Sequence, residues 1–188
     1  QPDQARVGVY WPTQDASDLR TARAASMLAT VLRIRALDVL RQRENATFSP
    51  LVENVMSEVF PGYGYIGVSM GADAAEADRG IALIETVAQS LYEDGVSADD
   101  LTRAREPILS GLQKDLERNA FWLERLARSQ RRPQRVEALR SLEADYRAVT
   151  AEQVEALAER WLRPERALRV EILPRTETGG AESARAGR

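Results

Sequence analysis

The spacing of apolar and polar positions changes several times along this chain, and each change marks an element. Arg6 to Trp11 (RVGVYW) is a short run of strand formers closed by Pro12, which predicts a strand. From Ser17 to Arg43 neither Gly nor Pro interrupts the chain. Ala24, Met27, Leu28, Val31 and Ile34 or Arg35 recur there at helical offsets, so the pattern predicts one long helix. Asn45 follows its last turn, where a residue tolerant of left-handed dihedrals closes a helix. Thr47 to Val59 and Tyr63 to Met70 read as two strands joined by Pro61-Gly62, a pair suited to reversing the chain. In the second strand Gly64, Ile66, Val68 and Met70 alternate with Tyr63, Tyr65, Gly67 and Ser69.

Helical periodicity then returns. Asp73 is placed to cap a helix whose stripe is Ala77, Ile81, Ile84, Ala88 and Leu91, running out at Asp94-Gly95. Ser97 with Asp100 three residues on has the form of a capping box, with Val96 and Leu101 as its hydrophobic staple. Thr150 with Gln153, flanked by Val149 and Val154, repeats that arrangement. Between the two starts the pattern predicts a helix through Leu101, Ile108, Leu112 and Leu116, with a kink or irregularity at Pro107. A break near Asn119, a helical stretch from Phe121 to Arg128 and another after Pro133 follow. The helix opened by Thr150 ends around Trp161, before Pro164. Ala167 to Leu173 sets Leu168, Val170 and Ile172 against Arg169 and Glu171, the alternation of a half-buried strand.

Strand, helix, two strands, several helices and a last strand must cover one another. The expectation is an α/β (α+β) two-layer sandwich of the ferredoxin-like kind, with an antiparallel sheet and an enlarged helical insertion before the final strand. The chain is 188 residues, enough for one core, and residues 1–175 are expected to form a single domain. Residues 176–188 are polar and rich in Gly and Ala, and read as a disordered tail. The chain opens without an initiator Met or a basic-then-apolar leader, as a mature or excised piece would.

Composition narrows the chemistry. With no Cys and no His, the chain has no thiol nucleophile, no disulfide, no histidine base and no histidine-built zinc site. Its 26 basic and 29 acidic residues give a net charge of -3, which supplies no global attraction to nucleic acid. No apolar run approaches the roughly 20 residues that a transmembrane helix needs.

Four features remain as candidates. The glycine cluster from Pro61 to Gly71 has neither a dinucleotide nor a P-loop spacing, and the only Lys, Lys114, lies far from it, so it reads as a tightly packed hairpin. Asp94, Asp99 and Asp100 crowd a helix start, where acids suit the helix dipole. Six arginines between Arg125 and Arg140 read as a solvated face between helices, with Phe121 and Trp122 at core-compatible positions. Arg41 stands near the end of the long helix, and Phe48, seven residues on, opens the next strand. Both can point toward one end of the sheet.

The stretches LRQRENATFSP, GVSADDLTRARE, LERNAFWLERLA and VTAEQVEALAERWLRPERALRVEILP, in this order, resemble the C-terminal domain of bacterial zinc metallopeptidases of the pitrilysin/insulinase family. The resemblance runs from about Arg6 to Pro174. It implies a non-catalytic, processing-peptidase-like domain that helps position peptide or unfolded polypeptide substrates. The zinc and its HxxEH motif would belong to the preceding catalytic domain or a partner subunit, with no cofactor in this chain, and the bacterial periplasm is the favoured location. In the family an arginine and a tyrosine seven residues apart hold the substrate backbone. The arginine matches Arg41, and the tyrosine position carries Phe48, which has no hydroxyl to donate. Asn45 stands for the usual glycine and Gln42 for the usual glutamate. The alternative is a structural or protein-interaction module of the same fold in an inactive homologue.

Overall fold

The computed structural model describes residues 4–41, 50–129 and 134–174. Strand β1 (Gln4–Pro12) is followed by helix α1 (Leu19–Arg41), then by strands β2 (Leu51–Met56) and β3 (Gly64–Asp73). Helices α2 (Ala77–Glu93), α3 (Ala98–Leu116), α4 (Asn119–Ser129), α5 (Gln134–Arg140), α6 (Leu142–Ala148) and α7 (Ala151–Trp161) come next, and β4 (Leu168–Ile172) closes the order. All pairings are antiparallel and the sheet order is β2-β3-β1-β4, the order of a ferredoxin-like sandwich. Alternation sets which side chains go in. Val7, Val9 and Trp11 of β1 face the helices together with Ile66, Val68 and Met70 of β3, in a register that places Val9 opposite Val68 and Trp11 opposite Ile66.

The described helices lie on one side of this sheet. α1 packs on β2, and α2 packs on β1 and β3. The inserted helices deepen this layer: α3 and α7 rest on α1, and α7 rests on α2 as well. α1 therefore has neighbours on two sides. Ala24, Ala25, Met27, Leu28, Val31 and Leu32 are all buried, a set too wide for a helix with one covered face.

Both predicted capping boxes form. The Ser97 hydroxyl accepts from the Asp100 N–H at 3.0 Å, and the Thr150 hydroxyl accepts from the Gln153 N–H at 3.4 Å. In each case the residue at the third helical position returns a bond to the cap backbone. Val96, Leu101, Val149 and Val154 are buried as staples. α2 stops where expected: the Asp94 N–H reaches back to the Ser90 carbonyl at 3.1 Å, and Gly95 takes φ +76°.

The structure corrects two local expectations. Asp73 is the last residue of β3, and its side chain caps nothing; a 3-10 turn (Ala74–Glu76) separates it from α2. β4 is a strand, but its apolar residues do not enter the core. Val7 stands opposite Glu171 and Val9 opposite Arg169, so the charged pair is on the helix side, while Leu168, Val170 and Ile172 share the opposite face with Tyr10, Gly8 and Arg6. Leu168 is 64% exposed and Ile172 is 59% exposed. α2 sits over β1 and β3 and leaves β4 overhanging, so charged side chains on that side reach water, and Arg169 bends to Glu85 of α2 at 2.5 Å. Pro107 lies within α3, which continues past it to Leu116.

Replacing Thr150 by Ala should lower stability by about 0.5–2 kcal/mol through loss of one cap, with Ser nearly neutral. Urea unfolding midpoints of the two variants check this, and an unchanged Ala midpoint at unchanged slope would show that the cap contributes nothing.

Candidate functional site

Arg41 occupies the last described turn of α1, where a cation meets the unpaired helix carbonyls. Its side chain is 71% exposed and donates to Asp38 Oδ1 at 3.2 Å. Asp38 also accepts from Arg103 of α3 at 2.7 Å, so one carboxylate serves two guanidinium groups. Phe48 lies outside the described residues, as do Gln42 and Asn45, so the Arg41–Phe48 geometry is not defined.

Beneath Arg41, α1 is held by a second arginine that sequence reasoning treated only as part of a helical stripe. The Arg35 guanidinium donates through Nε and Nη2 to the two oxygens of Asp100, at 3.3 and 2.7 Å. Nη2 also reaches the Gly95 carbonyl at 2.8 Å, and Nη1 reaches the carbonyl and hydroxyl of Ser90, each at 3.2 Å. Every N–H of the fork has an acceptor. Asp100 in turn accepts from the Ser97 hydroxyl at 2.7 Å and the Ser97 N–H at 3.0 Å. Burial pushes the Asp100 carboxyl up, but the hydrogen bonds from Arg35 and Ser97 outweigh it and hold the group at about 2. Of the three crowded acids, Asp100 thus does more than bias a helix dipole. The signal for it was an arginine on the buried side of α1, which needs a buried acceptor.

The second feature is the sheet face that carries none of the described helices. Its middle is small: Gly8, Ser69 and Gly71, together with Gly67 under the Tyr10 ring. A Cβ on Gly8 would come within 2.8 Å of that ring, so Tyr10 lies along the sheet, and its ring meets Tyr65 edge-on with centroids 5.8 Å apart. A Cβ on Gly71 would meet nothing within 4 Å. Leu51, Glu53 and Val55 of β2 border this floor on one side, and Leu168, Val170 and Ile172 of β4 border it on the other.

Other candidates resolve more simply. The glycine cluster is the β2–β3 hairpin and its strand, with Gly62 at φ +70° in the turn. Within the basic run, Arg125 stacks over Phe121 at 5.1 Å, Arg135 pairs with Glu58, and Arg140 pairs with Glu137. Arg131 and Arg132 lie outside the described residues. Trp122 is not a core residue: its ring is partly exposed, and its N–H donates to the Leu116 carbonyl at 2.7 Å, fastening α4 to the end of α3. A groove of about 480 Å³ lies beside Leu19, Phe60 and Ala138, at the opposite end of α1 from Arg41 and so roughly 35 Å from it. Among the described residues no three carboxylates gather as a metal site. Without His or Cys, the donor set present here does not fit zinc.

Residues 1–108 match the family described as the peptidase M16 inactive domain. The chain belongs to that family. The matched stretch runs from β1 into α3 and includes Arg41, Arg35 and Asp100. Among solved structures, the inactive peptidase domain of a candidate zinc protease from Bordetella parapertussis superposes with a TM-score of 0.79 at 15% identity, over 95% of this chain and 97% of that one. A peptidase M16 inactive domain from Pseudomonas fluorescens gives 0.78 at 16% identity, over 93% of this chain and 42% of the other. The periplasmic protease PqqL from Escherichia coli gives 0.72 at 16% identity, over 93% of this chain and 19% of that one. This chain thus spans under half of the length of the Pseudomonas protein and about a fifth of that of PqqL. No curated protein matches by sequence. The family assignment makes this a non-catalytic peptidase-homologue domain, and the four-stranded antiparallel sheet with its helices is the fold these relatives share.

The Arg35–Asp100 clasp predicts how this M16 domain responds to acid. Asp100 has a folded-state pKa of about 2, below its ordinary 3.8. The clasp therefore contributes fully above the ordinary value and is lost as pH falls through the folded one. Asp100→Asn should cost about 3 kcal/mol at neutral pH, because it leaves a half-buried guanidinium without its charge partner, and should flatten the acid limb. Urea unfolding of both proteins at pH 7 and between pH 5 and pH 2 measures this. Coincident curves at every pH would assign the stability elsewhere.

Proposed function

We propose that this chain, as one domain over residues 1–175, forms a non-catalytic wall of a zinc peptidase chamber. In this reading it helps to bind peptide or unfolded polypeptide opposite a zinc site held by another domain or subunit. The observation that supports the reading is the sheet face without any of the described helices. A face with an open position at Gly71, the Tyr10 ring laid over Gly8 and Gly67, and Leu51, Val55, Leu168 and Ile172 along its margins offers apolar contact to an extended chain, while the described helices lie on the other side. Arg41 adds a cation at an exposed helix end, able to donate to peptide carbonyls or to a developing oxyanion. Phe48 then serves as an apolar neighbour without a hydroxyl.

Metal chemistry would be supplied wholly by the other domain. This chain's share is to hold the substrate in place, and interactions of that kind appear in kcat/KM.

Two substitutions in the assembled parent enzyme test the reading from separate directions. Arg41→Ala should lower kcat/KM for peptide hydrolysis by about tenfold, which is about 1.4 kcal/mol, while the melting temperature stays put, since an exposed pair such as Arg41–Asp38 contributes little to folding. Gly71→Gln projects a side chain into open space on the bare face and should raise KM without unfolding the domain. Phe48→Tyr separates two ways of using that position: preserved or raised activity means that a hydroxyl still reaches substrate, and lowered activity means a cleft packed around the ring. Wild-type kinetics in both Arg41→Ala and Gly71→Gln would remove this domain from substrate handling.

A further inference from the structure

The edge strand β4 carries a feature that the chamber reading does not use. Its sequence, Leu168-Arg169-Val170-Glu171-Ile172, has mirror-like symmetry about Val170: opposite charges on either side, and branched aliphatics outside them. Its outer edge is unpaired among the described residues, because β4 ends the sheet. The strand has no proline within it, both of its outer aliphatic residues are exposed, and its edge charges are one of each sign, Arg169 and Glu171, so they oppose a partner of their own sign but attract a copy in the matching register.

We infer that β4 pairs antiparallel with β4 of a second copy of this chain, across a twofold axis normal to the sheet at Val170. That register sets Arg169 opposite Glu171 of the copy and Glu171 opposite Arg169, and it sets Leu168 opposite Ile172 in both directions. All four charged side chains lie on the helix side and all the aliphatic ones on the bare side, because each strand keeps its face across such an axis. Glu171 has no ion-pair partner among the described residues, whereas Arg169 already holds Glu85. Pairing would give each Arg169 a second carboxylate and each Glu171 its first cation. The overhang leaves space for it. With α2 over β1 and β3, two β4 strands side by side put the two β1 strands about 14 Å apart, enough for helices that need 8–10 Å between axes. A five-residue strand pair lies at the small end of specific interfaces, so the dimer should dissociate in the micromolar range and weaken with salt.

The test is sedimentation equilibrium on the 188-residue chain over a concentration series, with thermal melts to verify folding. The wild type should show a monomer–dimer equilibrium. Glu171→Arg, which leaves the Arg169–Glu85 pair intact, and Val170→Lys, which sets two like charges face to face on the axis, should each weaken it by about tenfold or more. Arg169→Glu should do the same alone. Mixed with Glu171→Arg, it should form a heterodimer, because one chain then carries acids at both positions and the other carries arginines at both, so every facing pair joins opposite charges. The double variant Arg169→Glu/Glu171→Arg should recover self-association. A wild type that stays monomeric at the highest concentration, or a dimer that Glu171→Arg and Val170→Lys leave unchanged, overturns the inference.

Discussion

A single guanidinium fixes the relation between the sheet-bound helices and the helices added to them. Arg35 gathers the end of α2, the Gly95 turn and the start of α3 against α1, through five donors arranged in a plane. A lysine could not do this, having one charged point and three donors at a single atom. The clasp also explains why the α2–α3 connection is so short. Gly95 must turn at positive φ to present its carbonyl to Arg35, and its missing Cβ leaves room for Glu155 of α7. Two more partly buried arginines repeat the device at lower occupancy. Arg105 donates to the Tyr146 and Val149 carbonyls, and Arg23 donates to the Ala138 carbonyl beneath its contact with Tyr146. The inserted helices are thus fastened to α1 by Arg23 and Arg35 and to one another by Arg105.

This arrangement separates two jobs. The buried side of the domain is committed to stability: α1 is enclosed, the caps are satisfied, and Asp100 is ionised and held. The sheet's other face carries less of that duty: Gly71 and the outer residues of β4 can change in size at little cost to the fold, whereas Gly8 and Gly67 are held small by the Tyr10 ring. Gly71 is the position on that face where an added side chain meets nothing, while Ser69 beside Gly8 is already buried.

Much of the backbone was legible from local pattern. The capping boxes at Ser97 and Thr150 are chemical signals that act within four residues, and both form as read. The period-two run through Ile66, Val68 and Met70 and the Gly95 stop are of the same kind. What the pattern could not give was partnership at long range. Leu168, Val170 and Ile172 look like an inward face until the register with β1 turns them outward, and that register depends on where α2 lies. Trp122 has the composition of a core residue, but its indole N–H is used at the surface. At the candidate site, Arg41 was readable from its place at a helix end. Arg35 was not, because its role depends on Asp100, sixty-five positions away.

The pairing of β1 with β4 joins the first and last strands of the described chain, so contacts between positions 6 and 172 close the sheet. High sequence separation of this kind slows folding and orders it in time. A chain emerging from the ribosome completes α1, the hairpin and the clasp while one edge of β1 still has no neighbour, and only the last strand hides it. Any chain cut short before Leu168 retains the core but exposes that edge of a central strand, so the residues of β4 act as a seal against aggregation more than as a contribution to the interior.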